Sequence, residues 1–383
     1  MSITASDTEK VRIGPSHLHK ESEMNWTKFL NRPIFSPQRL SCETYLEGRT
    51  ILITGAGGSL GSAVALRLLH CPSHRLILFD HSAEKLQALR FKCGEVRGII
   101  PHVEFIEANI LDANALQEVF AGYEPHVIFH TAALKHLSPL ESDPFVALEN
   151  NILGTVRLLE FVDCFPVEYF VNISSDKAVN PTSVLGVSKR ISELLLVAAE
   201  SLGAHRLSMR LGSVLESSGS VVSIFVEAIK NHRPLTITDS EASRYFVTLD
   251  EAAALLVESL RMRESSILLP EMGCPHKITD LAAFVMNEYQ TCPSVSHVSF
   301  VGLCDGEKRC EQLTYDGERL LTTAVRQIYQ VASNTVRDSE KFADKLGEAL
   351  ELVQKRRKAG LIDALLDLVP EFEPSRTLLR FVG

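Results

Sequence analysis

The chain has 383 residues, 45% of them hydrophobic and 23% charged, with a net charge of −9. This is ordinary globular composition, and the negative balance leaves no basic footprint for a nucleic-acid partner. No run of about 18 apolar residues is present to span a membrane, and the polar stretch 1–20 lacks the apolar core of a secretory leader.

Residues 1–47 read as an N-terminal arm, with a short amphipathic piece at Trp26–Leu30. Its Arg32-Pro33-Ile34-Phe35 segment is suited to docking on the body of the protein or on a neighbouring subunit. From Thr50 short β-branched runs alternate with helical runs. Strands are predicted at Thr50–Thr54, Arg75–Phe79, Val103–Ile106, His126–His130, Tyr169–Ser174 and Arg206–Leu211. Helices are predicted between them at Ser59–Leu69, Ala83–Lys92, Ala113–Phe120, Pro144–Phe165 and Ser188–Leu202. The alternation implies an α/β fold, a Rossmann-like doubly wound parallel sheet over 48–212. The continuous apolar run Val127-Ile128-Phe129 fits a strand covered on both faces.

After Leu211 the rhythm breaks. A Ser/Gly loop at 217–220 precedes a helix at Val221–Asn231, extended pieces at Pro234–Thr238 and Arg244–Thr248, a helix near Glu251–Leu260 and a strand near Ile267–Leu269. Residues 213–320 read as a smaller α/β substrate-binding lobe, with room for the chain to cross back to the sheet. From Asp316 the sequence is mostly amphipathic helix, and 321–383 reads as a helical C-terminal extension. The eight cysteines, at 42, 71, 93, 164, 274, 292, 304 and 310, form no Cys-x-x-Cys and read as reduced thiols of a cytoplasmic protein. Thirteen histidines show no metal-binding spacing, so no metal is expected.

The first strand ends in Gly55-Ala56-Gly57-Gly58-Ser59-Leu60-Gly61 and runs straight into a helix. Glycines at 55, 58 and 61 allow a tight turn, close approach of a pyrophosphate and helix–strand packing. Asp80, 19 residues past Gly61 at the end of the second strand, is placed to accept ribose hydroxyls and to repel a 2′-phosphate. NAD is therefore the expected cofactor. Polar clusters follow at the carboxyl ends of later strands, where such sheets bind ligands. Thr131-Ala132-Ala133-Leu134-Lys135-His136 follows the fourth strand, and its small alanines let a nicotinamide ribose lie on the backbone. Ser174-Ser175-Asp176-Lys177 follows the fifth, with a proton donor and a proton acceptor in one loop. Lys189, 12 residues after Lys177, is within reach of the nicotinamide ribose.

These segments together resemble the extended short-chain dehydrogenase/reductase superfamily. Within it they resemble the nucleotide-sugar 4,6-dehydratases of the CapD-type polysaccharide-biosynthesis family. The most specific segment is Ser175-Asp176-Lys177-Ala178-Val179-Asn180-Pro181-Thr182. Others are Asp80-His81-Ser82, Asn151-Ile152-Leu153-Gly154-Thr155, Arg244-Tyr245-Phe246 and Gly306-Glu307-Lys308. The resemblance implies that NAD takes the C4 hydride of a UDP-N-acetylhexosamine, most simply UDP-N-acetylglucosamine. Water then leaves across C5–C6, and the hydride returns to C6. Asp176 would protonate the departing oxygen, Lys177 would take the C5 proton and Ser175 would orient the sugar. Ser59, Leu60, His81, Ser82, Asn109, Ile110 and Asn150 would join the glycines, Asp80, the 131–135 segment and Lys189 around the cofactor. Lys135, His136, Ser213, Arg244, Glu307 and Lys308 would hold the UDP-sugar, with Arg244 on the diphosphate.

The chain departs from the superfamily pattern at Leu185, where a tyrosine usually stands four residues before Lys189, and at Ser213, where the family usually carries an amide. Without that tyrosine, Lys177 or a water chain ending at Ser175 would take the C4 hydroxyl proton. Burial and Lys189 are expected to lower the Lys177 pKa, with Asp176 opposing, so that the rate rises with pH. A UDP-sugar 4-epimerase and a catalytically silent NAD-binding sensor or scaffold are the competing readings. A homo-oligomer without a membrane span is expected.

Overall fold

The computed structural model describes residues 24–37, 43–71, 75–96, 101–198, 203–289, 298–332 and 339–383. The arm supplies α1 (Trp26–Leu30) and α2 (Glu43–Leu46). Then come β1 (Thr50–Thr54), α3 (Ser59–Leu68), β2 (Arg75–Asp80), α4 (Ala83–Glu95), β3 (His102–Glu107), α5 (Ala113–Tyr123) and β4 (Val127–His130). The next stretch gives α6 (Leu137–Ser142), α7 (Pro144–Leu148), α8 (Gly154–Cys164), β5 (Tyr169–Ser175), α9 (Val184–Ala198) and β6 (His205–Leu211). After β6 come β7 (Ser213–Val214), α10 (Val221–Lys230), β8 (Leu235–Ile237), β9 (Ser243–Arg244), β10 (Phe246–Val247), α11 (Leu249–Glu258), β11 (Ser266–Pro270), β12 (His276–Lys277), α12 (Ile278–Glu288) and β13 (Val298–Phe300). The short pairs β7–β10, β9–β12 and β8–β13 with α10 and α12 form a lobe, whereas α11 and β11 return to the main sheet and its core. The last elements are β14 (Arg319–Thr322), β15 (Ile328–Ala332), α13 (Ser339–Gln354), α14 (Leu361–Leu368) and α15 (Arg376–Val382).

One sheet of nine strands runs in the order β14-β15-β11-β6-β5-β4-β1-β2-β3. From β11 to β3 all neighbours are parallel. Strand order reverses between β1 and β4, and that gap opens a crevice at the carboxyl edge. Alternate side chains enter two cores. Ile51, Ile53, Leu76, Leu78 and Phe129 pack with α3, α4 and α11, whereas Leu52, Ile77, Phe79 and Ile128 pack with α5 and α8. A third core joins Trp26 and Leu30 of the arm to α10 and α12. A fourth joins α6, α7 and α9 to the three tail helices.

Several boundaries differ from the sequence reading. The helix predicted over Pro144–Phe165 is broken by a π turn at Glu149–Leu153 between α7 and α8. Such a turn inserts an extra residue into the helix, a device common at functional sites. Asn151 on this turn accepts the N–H of Leu134 at 2.9 Å and donates to its carbonyl at 3.0 Å, pinning the loop after β4. The helix predicted from Ser188 already starts at Val184, because side chains cap its free N–H groups. Glu141 accepts Val184 N at 2.6 Å and Ser183 Oγ accepts Gly186 N at 3.1 Å. The predicted end of that helix, 199–202, lies outside the described residues. The tail is not helical from its start: β14 and β15 form an antiparallel hairpin on β11. Without them the backbone edge of β11 would lack partners.

The arm is fastened by charge as well as by apolar packing. Arg32 grips the buried Glu251 of α11 with two hydrogen bonds, at 2.6 and 2.9 Å, and donates to the carbonyls of Met272 and Phe246. Phe35 N adds a third bond to Glu251 at 3.0 Å. Removing one partner of a buried ion pair costs about 3–5 kcal/mol, because the other is stranded. Arg32→Ala is therefore expected to lower unfolding stability by about that amount in urea titrations, and Arg32→Met with Glu251→Leu to regain most of it. A loss of under about 1 kcal/mol in the single variant would show that the arm is not anchored by this pair.

Candidate functional site

The site starts at the turn after β1. Gly55 has φ +71°, and a Cβ there would stand 2.6 Å from the backbone of Ala132. At Gly61 a Cβ would collide with the Gly55 carbonyl oxygen and lie 2.7 Å from Thr131 Oγ1. Gly58 caps α3 without a side-chain bond, so the first N–H groups of that helix face outward. Thr131 ties the two loops together by donating to Thr54 O at 2.8 Å. Beneath it His130 lies between Thr54 Oγ1 at 2.8 Å and Thr155 Oγ1 at 3.0 Å. Burial, helped by the charge of Lys189, holds this imidazole neutral with its pKa at about 3.

Asp80 is buried and is shared with the turn itself. Oδ2 accepts Gly57 N at 3.0 Å, and Oδ1 accepts Ser82 N at 2.9 Å and stands 3.4 Å from His81 Nδ1. Sequence reasoning passed over Gly57, although a Cβ there would be 2.5 Å from Lys85 Cβ. Gly55, Asp80, His81, Asn109, Ile110, Ala132 and Asn150 line one small recess beside the turn. The set fits a dinucleotide: open helix amides for a pyrophosphate, and a buried carboxylate with lone pairs left for a ribose diol.

A larger cleft of about 360 Å³ opens between sheet and lobe. Lys135, His136, Ser213, Arg244 and Glu307 all line it, with Ser217, Thr236, Thr238 and Phe246. Pairing of β7 with β10 and of β9 with β12 sets Ser213 and Arg244 in the wall. Arg244 donates to Glu307 at 2.6 Å and to the carbonyls of Ser243 and Arg309 at 2.8 and 3.0 Å. Part of its five-donor fork is left for a ligand. Lys135 reaches Ser217 Oγ at 3.4 Å, and burial with the charge of Lys85 lowers its pKa. Ser59 joins this wall to the glycine turn by accepting Ser218 N at 2.8 Å. Leu60 and Ala133 flank the turn, half-buried. A second cavity, of about 320 Å³, lies beside Glu168 and His205 at the amino ends of β5 and β6, away from these groups.

The third group stands at the end of β5. Ser175 Oγ donates to Asp176 Oδ1 at 2.9 Å, and Lys177 Nζ donates to the same oxygen at 3.0 Å. Asp176 is fully buried, and its Oδ2 has no hydrogen-bond partner among the described residues. Glu311, absent from the sequence reading, lies 3.3 Å from Lys177 Nζ. Burial pushes the Lys177 pKa down, but Asp176 and then Glu311 pull harder, and the net shift is upward. This corrects the expectation of a lowered value. Lys189 is not against Lys177: its Nζ donates to Ile173 O at 2.7 Å. Lys308 also turns away from the cleft, toward Val179 O at 2.7 Å and Glu311 at 3.0 Å. Leu185 packs among the apolar residues shared with the tail helices.

Buried charges hold this loop. Arg210 of β6 grips both oxygens of Glu193 at 3.0 and 2.9 Å, and Glu193 accepts Ser174 Oγ at 2.6 Å. Arg190 adds a bond to Glu193 at 3.1 Å. On its far side Arg210 meets Glu318 at 2.9 Å, and Tyr315 OH donates to Ala178 O at 2.6 Å. Single acidic residues in helices and turns carry no motif, and so Glu193, Glu311 and Glu318 were illegible in sequence.

The sequence profile described as "Polysaccharide biosynthesis protein" matches residues 51–333. The chain belongs to that family. It is 34% identical over 277 residues to the probable polysaccharide biosynthesis protein EpsC of Bacillus subtilis, covering 71% of this chain and 46% of that one. It is 32% identical over 290 residues to the capsular polysaccharide biosynthesis protein CapD of Staphylococcus aureus, covering 74% and 48%. It thus spans about half the length of these two relatives. A UDP-glucose 4-epimerase of Rickettsia bellii is 26% identical over 291 residues, covering 74% and 82%. Among solved structures, Pen from Bacillus thuringiensis superposes with a TM-score of 0.67 at 25% identity, covering 77% of this chain and 89% of that one. The Thermus thermophilus UDP-glucose 4-epimerase, solved with NAD, has the same fold (TM-score 0.59, 22% identity, covering 69% and 90%). No helix among the described residues is long and apolar enough to cross a membrane.

Lys189 gives a pH test of this geometry. Burial outweighs the nearby Glu193 and lowers its pKa to about 8 from 10.5. Between those values the unfolded chain binds a proton that the folded chain does not, so folding stability rises with pH across that window. The ¹³Cε resonance of Lys189, in lysine-labelled protein without ligands, should titrate with a midpoint of about 8. A midpoint at the ordinary lysine value would mean that Lys189 is not enclosed as described.

Proposed function

We propose that the chain carries out NAD-dependent 4,6-dehydration of a UDP-N-acetylhexosamine, UDP-N-acetylglucosamine in the simplest case. The observation that carries the proposal is the Asp176–Lys177 pair, joined at 3.0 Å, with one buried carboxylate oxygen lacking a partner among the described residues. NAD, held by the turn 55–61 and by Asp80, would supply the reversible hydride acceptor at C4. Lys135 and Lys189 would face its nicotinamide half. Arg244 would meet the diphosphate, and His136, Ser213 and Glu307 would line the rest of the UDP-sugar path. Ser175 would orient the sugar.

The acid–base roles follow from the pair. In the resting protein the shared proton sits on Lys177. It must first pass to Asp176 across the 3.0 Å contact. Neutral Lys177 then takes the C5 proton, and Asp176 gives its own to the C6 oxygen, which leaves as water. Elimination leaves the pair as it began, an ammonium beside a carboxylate. When the hydride returns to C6, Lys177 would give a proton to C5. It would be recharged by the proton that left the C4 hydroxyl through a water chain ending at Ser175, which is where solvent deuterium enters.

A UDP-sugar 4-epimerase is the second reading, favoured by the Rickettsia relative and by the solved neighbours named as epimerases. Both reactions begin with oxidation at C4, so Leu185, which offers no hydroxyl on the face of α9 that carries Lys189, bears equally on the two. The Asp176–Lys177 pair, for which epimerisation at C4 has no use, favours dehydration. Incubation with NAD and UDP-N-acetylglucosamine should yield a product lighter by one water, carrying deuterium at C5 when the solvent is D₂O. Asp176→Asn and Lys177→Ala should each reduce this turnover by about 100-fold or more, with NAD binding kept. A product of unchanged mass and inverted C4 would replace dehydration by epimerisation. Binding of NAD with no turnover of any UDP-hexosamine would leave a silent sensor or scaffold.

Arg244 supplies a separate check. Loss of a charge-assisted hydrogen bond costs about 1.5–3 kcal/mol. Calorimetry of Arg244→Ala with UDP should show binding weakened by that amount, and unchanged affinity would remove Arg244 from the diphosphate site.

A further inference from the structure

Glu311 belongs to no cluster that pointed to the site, yet its carboxylate reaches the centre of it. It comes from the lobe, just after the 304–310 segment, and only 1% of its side chain is exposed. Oε1 lies 3.3 Å from Lys177 Nζ, and Oε2 lies 3.0 Å from Lys308 Nζ. Lys308 is anchored in turn on the carbonyl of Val179. Charges therefore alternate along one line: Lys308, Glu311, Lys177, Asp176. Ser175 Oγ closes the line on Asp176 Oδ1.

We infer that Glu311 is a positioning residue for the Asp176–Lys177 pair, holding the Lys177 ammonium against Asp176 and fixing the shared proton on the lysine. Two features support this. Lys177 is held from both sides, by Asp176 of its own turn and by Glu311 of the lobe, so its long stem has one arrangement rather than several. An anion about 3–4 Å away in a site shielded from water also acts far more strongly than it would at the surface. The other charges facing the lysine do not cancel this effect. Arg244 opposes it from the cleft side, and Asp176 adds to it. Lys308 acts through Glu311, and Tyr245 faces Asp176 from the lobe. Taken alone, burial would favour the neutral amine.

The catalytic consequence rests on the dehydratase reading; the charge geometry does not. Glu311 holds the proton on the lysine until substrate arrives, and so opposes the internal transfer to Asp176 that elimination requires. The lobe that carries the UDP-sugar wall thereby also sets the proton affinity of the base.

The test is the ¹³Cε titration of Lys177, assigned by its loss in Lys177→Met. In E311Q the midpoint should fall by about one unit, the lower end of the effect of an adjacent opposite charge, while that of Lys189 stays in place. In K308M, Glu311 loses its other cation and the Lys177 midpoint should rise. Where E311Q turns over, its pH–kcat profile should move downward by the same amount, with KM for the UDP-sugar held within about twofold. An unchanged Lys177 midpoint in folded, NAD-binding E311Q overturns the inference. If E311Q fails to fold, an unchanged or lowered midpoint in K308M overturns it. Movement of the midpoints in a protein that turns over no UDP-hexosamine would retain the role of Glu311 and reject the dehydratase reading.

Discussion

The Arg210–Glu193 pair is the constraint on which the rest of the site depends. Two guanidinium N–H groups meet two carboxylate oxygens where both side chains are wholly buried. Such a pair is costly to desolvate and is favourable only when its remaining donors and acceptors are filled. Here Ser174, Arg190, Leu313 O and Glu318 fill them. Those groups come from three parts of the chain, the end of β5, α9 and the 313–318 segment. One cluster therefore ties the end of β5 to α9 and to the segment that returns to the sheet. Ser174 stands two residues before the turn carrying Asp176 and Lys177, so the end of the strand from which that turn springs is fixed by this cluster.

Two layers of electrostatics follow from that frame. In the inner layer every N–H of the Arg210 guanidinium and both oxygens of Glu193 are paired. The outer one, around Lys177, is balanced but open: Asp176 keeps an oxygen without a partner among the described residues, and Arg244 keeps part of its fork facing the cleft. Glu307 and Glu311, four residues apart in one segment, serve the two basic groups differently. Glu307 neutralises the arginine of the cleft wall, and Glu311 neutralises the lysine of the β5 turn. The 304–311 segment is itself held on the loop after β5, where Thr182 donates to Gly306 O at 2.9 Å. Apolar packing of the tail on α6, α7 and α9 closes this side.

The parallel sheet was legible because it rests on local signals. Short β-branched runs, glycines at 55, 58 and 61 and an acid at 80 each carry their meaning within a few residues. The cleft residues Lys135, His136, Ser213, Arg244 and Glu307 were also readable, though only through a family pattern, since their segments are far apart in sequence. What escaped was long-range. The hairpin 319–332 is defined by the edge of β11 that it covers, not by its own composition. The early start of α9 depends on Glu141, a residue 43 positions away that caps Val184. Glu311 raises the proton affinity of a lysine 134 residues distant by numbering, and no local pattern encodes such a meeting. The lowered Lys177 pKa expected from sequence failed for the same reason: burial was foreseen and the second carboxylate was not.

The bond between Arg210 and Glu318 spans 108 residues of chain. On a ribosome adding about 5–20 residues each second, Arg210 is made several seconds before its acid partner. Through that delay the Arg210 guanidinium of β6 has only one of its two carboxylate partners, Glu193. Only when the lobe has been synthesised and the chain has turned back through Tyr315 does that strand acquire its full set of partners. A nascent chain cut short before Glu318 would lack the edge hairpin β14–β15 and the second carboxylate of Arg210, although it would already hold every residue that lines the cleft.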